Sequence, residues 1–338
     1  MNFRPWGVIL AGGKGSRLRT LSRVISGDSR PKQFCALLGS ESLLARTRGR
    51  LASAISPNRT IFSVVKEHER FYRPELADVD ESKIVVQPAN RGTTAAILYS
   101  LLRLIRFEKD PVVAFFPADH HFTDEMQFAH AVDGAFETVH KRPDLLVLLG
   151  VRAEKAEMEY GWIEPGPMVD NDCGGSLSVF RVHRFWEKPS TATAQALLSR
   201  GCLWNTFVIA GRAHTFIEAI ESTIPQTVAS FQPIADSSAG KEEVGRAAAL
   251  YDSLPTEDFS REVLTHCPER LAVLRMDNAG WGDLGTPEGV LAAMNKMVPA
   301  ERLPPAHAFG LWLAAYRQRL EEAAGKATAA EQPHGSVS

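Results

Sequence analysis

The feature that most constrains the fold of this chain is an apolar run that stops abruptly in glycine. Val8, Ile9 and Leu10 lead directly into Ala11-Gly12-Gly13-Lys14-Gly15-Ser16-Arg17, with three glycines in four positions. A buried strand running into such a loop can turn tightly and bring its backbone N–H groups close to a ligand. Arg17 and, further on, Lys32 of Pro31-Lys32-Gln33 add positive charge. The combination suits an anionic ligand such as a nucleotide phosphate chain. A plain strand-to-helix turn would need the glycines but not the cations. Two better-known phosphate loops are excluded. No GxxxxGK followed by Ser or Thr is present, and a GxGxxG started at Gly13 meets Leu18 where its third glycine belongs.

The pattern downstream says what kind of sheet holds this loop. Residues 60–65, 83–86, 112–116 and 145–151 read as short buried strands, and residues 42–55, 67–76, 93–106 and 124–140 as amphipathic helices. That alternation predicts an α/β fold, a Rossmann-like and mainly parallel mixed sheet with helices on both faces. Sites in such sheets gather beyond the carboxyl ends of strands, here just after Leu10, Val86, Phe116 and Val151. After Val151 the pattern changes. Residues 160–164 and 177–186 read as strands around a turn-rich insert at 170–175. Residues 191–199 form a helix and 204–210 a strand. Helical stretches at 213–221, 226–233, 241–250 and 260–265 precede a strand at 271–276. The expected organisation is a catalytic domain over 1–286, a helical extension over 287–324 and a small, polar, disordered tail over 325–338. No internal repeat is evident, and in particular no hexapeptide pattern of a β-helix.

Composition narrows the partners. With 38 Lys plus Arg against 40 Asp plus Glu, the net charge of −2 offers no basic field for nucleic acid, so affinity for anions must be local. The four cysteines are scattered without a CxxC pair, which fits free thiols in a reducing compartment. No apolar run approaches the ~20 residues that span a bilayer, and no signal-like segment precedes the first strand. The expectation is a cytoplasmic protein without membrane or nucleic-acid partners.

Carboxylates and cations then recur at strand ends. Pro117-Ala118-Asp119-His120-His121 follows a strand directly, placing Asp119 to hold a hard cation such as Mg²⁺ or, alternatively, to cap the next turn. Neighbouring histidines at a strand end point to opposite sides, which argues against zinc. Asp283 sits between glycines in Trp281-Gly282-Asp283-Leu284-Gly285, as a second metal carboxylate or an ordinary turn aspartate. Glu187 and Lys188, before Pro189, could meet a sugar hydroxyl and a phosphate or form a solvated pair. Asn205, beside Trp204, suits a polyol and equally a turn. Gln87 and the run to Gly92, Thr93 and Thr94 join a strand to a helix, offering contacts to a base edge or a simple N-cap.

Taken in order, LAGGKGSRL, LSR, PKQF, QPANRGTTAAI, PADH, YGWIE, FWEKP, LWNTFVIAG and WGDLG cover residues 10–285. The series resembles the sugar-nucleotide pyrophosphorylases, and most closely the mannose-1-phosphate guanylyltransferases. The resemblance implies the nucleotide-diphospho-sugar transferase fold. It also implies in-line, Mg²⁺-assisted transfer of a nucleotidyl group from GTP to mannose 1-phosphate, giving GDP-mannose and pyrophosphate. Leu10, Ala11, Gly12, Gly13, Gly15 and Arg17 would wrap the nucleotide phosphates, and Lys32 would neutralise charge at the reacting phosphates. Asp119 and Asp283 would hold Mg²⁺. Lys188 would bind the sugar phosphate, Gly161, Glu187 and Asn205 the sugar, and Gln87, Gly92 and Thr93 would lie on the base side. The resemblance leaves room for a homodimer. It departs at Arg19-Thr20, where the family continues its loop with Trp-Pro, and at Gly92, where the family carries Asn or Asp. Both lie near the nucleotide. Other readings are a dTTP- or UTP-using glucose-1-phosphate transferase, a catalytically weak nucleotide-sugar-binding regulator, and a glycosyltransferase using the DxD of Asp170-Asn171-Asp172.

Overall fold

A computed structural model describes residues 4–169, 177–277 and 279–297. The turn-rich insert with its DxD, most of the expected helical extension and the expected disordered tail lie outside the described residues. The strands are β1 (Trp6–Leu10), β2 (Thr60–Val65), β3 (Ile84–Gln87), β4 (Val112–Pro117), β5 (His120–His121), β6 (Leu146–Arg152), β7 (Gly161–Met168), β8 (Val179–Glu187), β9 (Leu203–Arg212), β10 (Leu271–Met276) and β11 (Gly282–Asp283). The helices are α1 (Arg19–Ser26), α2 (Leu43–Leu51), α3 (Glu69–Glu75), α4 (Gly92–Ile105), α5 (Glu125–Lys141), α6 (Thr191–Ser199), α7 (Ala213–Thr223), α8 (Pro225–Ala235), α9 (Lys241–Ser253) and α10 (Pro287–Met297).

Nine strands form one sheet in the order β3-β2-β1-β4-β9-β6-β10-β8-β7. Seven run the same way; β8 and β9 are reversed. The chain alternates strand and helix through its first half because β1, β2, β4 and β6 are apolar on both faces and need cover on both. One apolar layer, with Phe62, Phe116, Phe128 and Leu149, lies between the sheet and α2 and α5. The other, with Ile97, Phe115, Phe216 and Val263, lies beneath α4, α7, α8 and α9. Glu243 of α9 is buried and paired with Arg103 of α4 and with Arg106 just after it, tying this second layer together.

Two local features position the site. Near residues 206–208 the register of β9 against β6 shifts, and Phe207 takes a left-handed backbone with φ 58°. In addition, β5 and β11 form a separate antiparallel ribbon in which Asp283 is paired with His120. A third apolar cluster joins Val290 and Ala293 of α10 to Leu18, Leu21, Leu38 and Leu43, so α10 packs on the amino-terminal part of the chain. The described cysteines, Cys35, Cys202 and Cys267, are buried and free. Among the described residues no helix is long and apolar enough to cross a membrane.

Candidate active site

A cleft of about 340 Å³ opens beyond β1, β3 and β4. Of the residues singled out in the sequence, Leu10, Gly12, Gly13, Arg17, Gln87, Gly92, Thr93, Asp119, Gly161, Glu187, Lys188, Asn205 and Asp283 line it. A larger groove of about 680 Å³ near α1 and α2 contains none of them and is mostly apolar. The chemistry-bearing groups converge in the smaller cleft.

The glycine loop is held from outside. Gln33 Nε2 donates to the carbonyls of Ala11 and Gly13, both at 2.8 Å, and Asn90 Nδ2 donates to the Gly12 carbonyl at 2.7 Å. Gly15 must be glycine on two counts. Its φ is 57°, and a β-carbon there would stand 2.8 Å from the Lys32 backbone nitrogen. Gly13, by contrast, faces open space. Arg17 sits half exposed and paired with Glu159 at 3.3 Å. Gln87 is buried, donating to Ser63 Oγ and accepting from the Tyr251 hydroxyl, so its amide already has partners.

Lys32 reaches the centre. Its ammonium lies 2.9 Å from Asp119 Oδ2 and 3.2 Å from Asp283 Oδ1, and the residue is only 9% exposed. Burial alone would lower the pKa of this amine, but the two carboxylates more than offset it and raise it. Burial likewise opposes ionisation of Asp119, while Lys32 and then His120 hold its carboxyl below the usual range. His120 Nδ1 donates to the Thr206 carbonyl at 2.9 Å, turning Nε2 toward both carboxylates, 3.9 Å from each. Two convergent carboxylates already bridged by one cation are a donor set that fits a hard divalent metal. Among the described residues no three His, Cys, Asp or Glu side chains are placed to hold a metal ion together, so such an ion would take its remaining ligands from substrate and water.

The far half of the cleft is built on the base of the β7–β8 hairpin. Gly161 pairs with Glu187, and a β-carbon on Gly161 would stand 3.1 Å from Glu187 Oε2 and 3.3 Å from Asn205 Cβ. Glu187 is pushed up to about 7, chiefly by burial and then by Asp258. Lys188 adopts φ 47°, which turns it out of the strand at the cleft wall, 3.9 Å from Glu187. Asn205 Oδ1 accepts from the Phe207 N–H at 3.1 Å, supporting the bulge.

Several contributors carry no sequence signal of their own. Glu159, Phe207, Asp258, Ser260 and Trp281 also line the cleft. Of the two glycines near Asp283, only Gly285 is crowded: a β-carbon there would meet Asp283 Oδ2 at 2.7 Å and Arg17 Nη2 at 3.0 Å and would displace those side chains, whereas Gly282 has open space. Gln33 is visible as part of PKQF, but not as the staple of a loop twenty residues away.

Comparison with known proteins decides the family. The model described as nucleotidyl transferase matches residues 6–299. The chain belongs to the nucleotidyl transferase family. Within it, the chain is 32% identical over 292 residues to the xanthan biosynthesis protein XanB of Xanthomonas campestris, covering 82% of this chain and 57% of that protein. It is 30% identical over 309 residues to the mannose-1-phosphate guanylyltransferase RfbM of Salmonella typhimurium, covering 88% and 60% respectively. The chain thus spans under two thirds of the length of these relatives. A crystal structure from Thermus thermophilus, described as a mannose-1-phosphate geranyltransferase, superposes with a TM-score of 0.71 at 26% identity, over 84% of this chain and 77% of that one. Members of the family generally use a divalent metal, in keeping with the paired carboxylates.

Proposed function

We propose that this chain transfers a guanylyl group from GTP to mannose 1-phosphate or a close relative, with Mg²⁺, releasing pyrophosphate. The observation that carries the reading is the meeting of Asp119, Asp283 and Lys32 at the mouth of the glycine loop. The names of the relatives support the choice of base and sugar. Both substrates are polyanions, and two unit charges ~4 Å apart repel by ~4 kcal/mol at an effective dielectric of 20. The burden is therefore to neutralise charge and fix geometry. Loop amides and Arg17 bind the triphosphate, and Lys32 turns from the carboxylates toward the reacting phosphates. Lys188 anchors the sugar phosphate, whose oxygen attacks the α-phosphorus in line as pyrophosphate leaves. Asp119 and Asp283 would hold Mg²⁺, which when bound supplies Lewis-acid neutralisation of phosphate charge. The phosphate nucleophile is already anionic, so no general base is needed. Gly161, Glu187 and Asn205 receive the sugar, and Gln87, Gly92 and Thr93 face the base. The reading includes residues 1–286 as the catalytic unit, a cytoplasmic location, and small-molecule substrates without nucleic acid.

The test is pyrophosphate release by purified protein with each of five nucleoside triphosphates and several sugar 1-phosphates, in Mg²⁺ or EDTA. GTP with mannose 1-phosphate should give the highest rate, and EDTA should abolish it. Release only with dTTP or UTP would overturn the guanylyl assignment, and no release with any pair would overturn transfer itself.

A further inference from the structure

Arg50 of α2 is 4% exposed, yet among the described residues no carboxylate lies within ion-pair distance of it. Its guanidinium lies between two rings instead, 5.1 Å from the centre of Phe122 and 5.2 Å from that of Phe128. Burying a cation without a carboxylate partner is costly, and contact with the two rings offsets only part of that cost. Stability alone therefore gives little reason for an arginine here.

Its hydrogen bonds supply a reason. Arg50 Nη2 donates to the His120 carbonyl and to Thr47 Oγ1, each at 3.1 Å. Thr47, one helical turn earlier, donates its hydroxyl to the Ala118 carbonyl at 3.4 Å. Ala118 and His120 flank Asp119, so α2 grips the peptide entering Asp119, through the Ala118 carbonyl, and the peptide leaving His120, through the His120 carbonyl. From the other directions, the Ala118 N–H donates to the Leu10 carbonyl at 3.1 Å and His120 is held in register with Asp283. Turning the Ala118–Asp119 peptide would swing Asp119 away from Lys32 and Asp283, and turning the His120–His121 peptide would disturb the register of His120 with Asp283.

We propose that Arg50, with Thr47 as its lesser partner, is a positioning residue that fixes the aim of Asp119 toward the metal and phosphates. It touches no substrate and acts through the backbone on either side of the carboxylate. The inference rests on the reading of Asp119 as a metal ligand. Outer groups that orient metal ligands typically contribute ~10–100-fold to metal affinity or activity.

The test compares Arg50→Met, Arg50→Lys, Thr47→Val and Asp119→Asn with the wild type. Mn²⁺ affinity is read by electron paramagnetic resonance with GTP present, alongside thermal unfolding and pyrophosphate release. Arg50→Met should unfold at or above the wild-type temperature while losing ~10–100-fold in Mn²⁺ affinity and rate. Arg50→Lys, which keeps the charge and a donor, should recover part of the loss, and Thr47→Val should lose less than Arg50→Met. Wild-type Mn²⁺ affinity in Arg50→Met, with affinity lost in Asp119→Asn, would overturn the positioning role and leave the metal reading intact. Wild-type affinity in Asp119→Asn would remove the metal reading and the proposal with it. Should Arg50→Met fail to fold, wild-type affinity in both Arg50→Lys and Thr47→Val would count against the proposal in the same way.

Discussion

The carbonyl oxygen of Glu257 stands 2.0 Å from the point where residue 92 would place a β-carbon. Gly92 also has φ 87°, so the position is closed to other residues both by its conformation and by its neighbour. The Thr94 N–H donates to that same carbonyl, the Glu257 N–H donates to the Arg91 carbonyl, and the Phe259 N–H donates to Thr93 Oγ1. The start of α4 is laced to the segment after α9. Backbone fills the space that an Asn or Asp side chain at this position would need. Gly92→Ala should lose about 2–4 kcal/mol in urea unfolding, from left-handed strain plus overpacking. A loss under about 0.5 kcal/mol would show that the segment after α9 moves away freely.

The glycines beside Asp283 should behave differently. Gly285→Ala pushes a methyl group against the Asp283 carboxylate and Arg17, and pyrophosphate release should fall about 10–100-fold as the carboxylate is displaced. Gly282→Ala meets open space and should retain its rate within about twofold. Equal effects of the two substitutions in steady-state assays would contradict this geometry.

Glu187 makes stability depend on pH. Its folded pKa of about 7 lies above the ordinary carboxyl value of 4.5, so between those two pH values the folded state holds a proton that the unfolded chain has released. The corresponding stability is complete below about pH 4.5, falls as pH rises to about 7, and is absent above that. Glu187→Gln should therefore match the wild type near pH 4.5 and exceed it by up to about 3 kcal/mol at pH 8. Denaturant titrations at the two pH values provide the measurement. A constant difference between the two proteins would place the titrating group elsewhere.

Lys32→Met removes the cation shared by Asp119 and Asp283. Loss of an electrostatic group at a reacting phosphate should lower pyrophosphate release by about 10²–10³-fold. Burial of Asp119 also loses its main counterweight, so the variant should lose stability as pH rises from about 4 to 8. Parallel rate and unfolding measurements across that range test both statements.

Much of this fold is legible in the chain because its signals are local. The strands at 60–65 and 271–276 and the helix at 191–199 stand where the sequence places them, the helix starting at its cap Ser190. Helix α1 is harder to read: at eight residues it offers little more than Leu18, Leu21 and Ile25 at helical spacing, and its carboxyl end is set by Gly27 in a left-handed conformation. The ribbon of β5 and β11 is two residues long on each side, too short for any periodicity, although it joins the two candidate metal carboxylates. The grip of Thr47 and Arg50 on the backbone around Asp119 spans about seventy residues of sequence, and no spacing rule reaches that far. The candidate site is therefore readable as a set of side chains, but not as the scaffold that aims them.

The place of β9 in the sheet has a consequence for biosynthesis. β4 and β6 are not neighbours; β9 lies reversed between them and bonds to both. The Val-Val-Ala-Phe-Phe edge of β4 therefore leaves the ribosome well before the strand that covers it. At roughly 5–20 residues per second, that edge waits on the order of 5–20 s for residue 212. An apolar strand edge left open this long invites pairing between nascent chains. The antiparallel insertion that completes the sheet thus leaves the growing polypeptide with an open strand edge until its two halves can be joined.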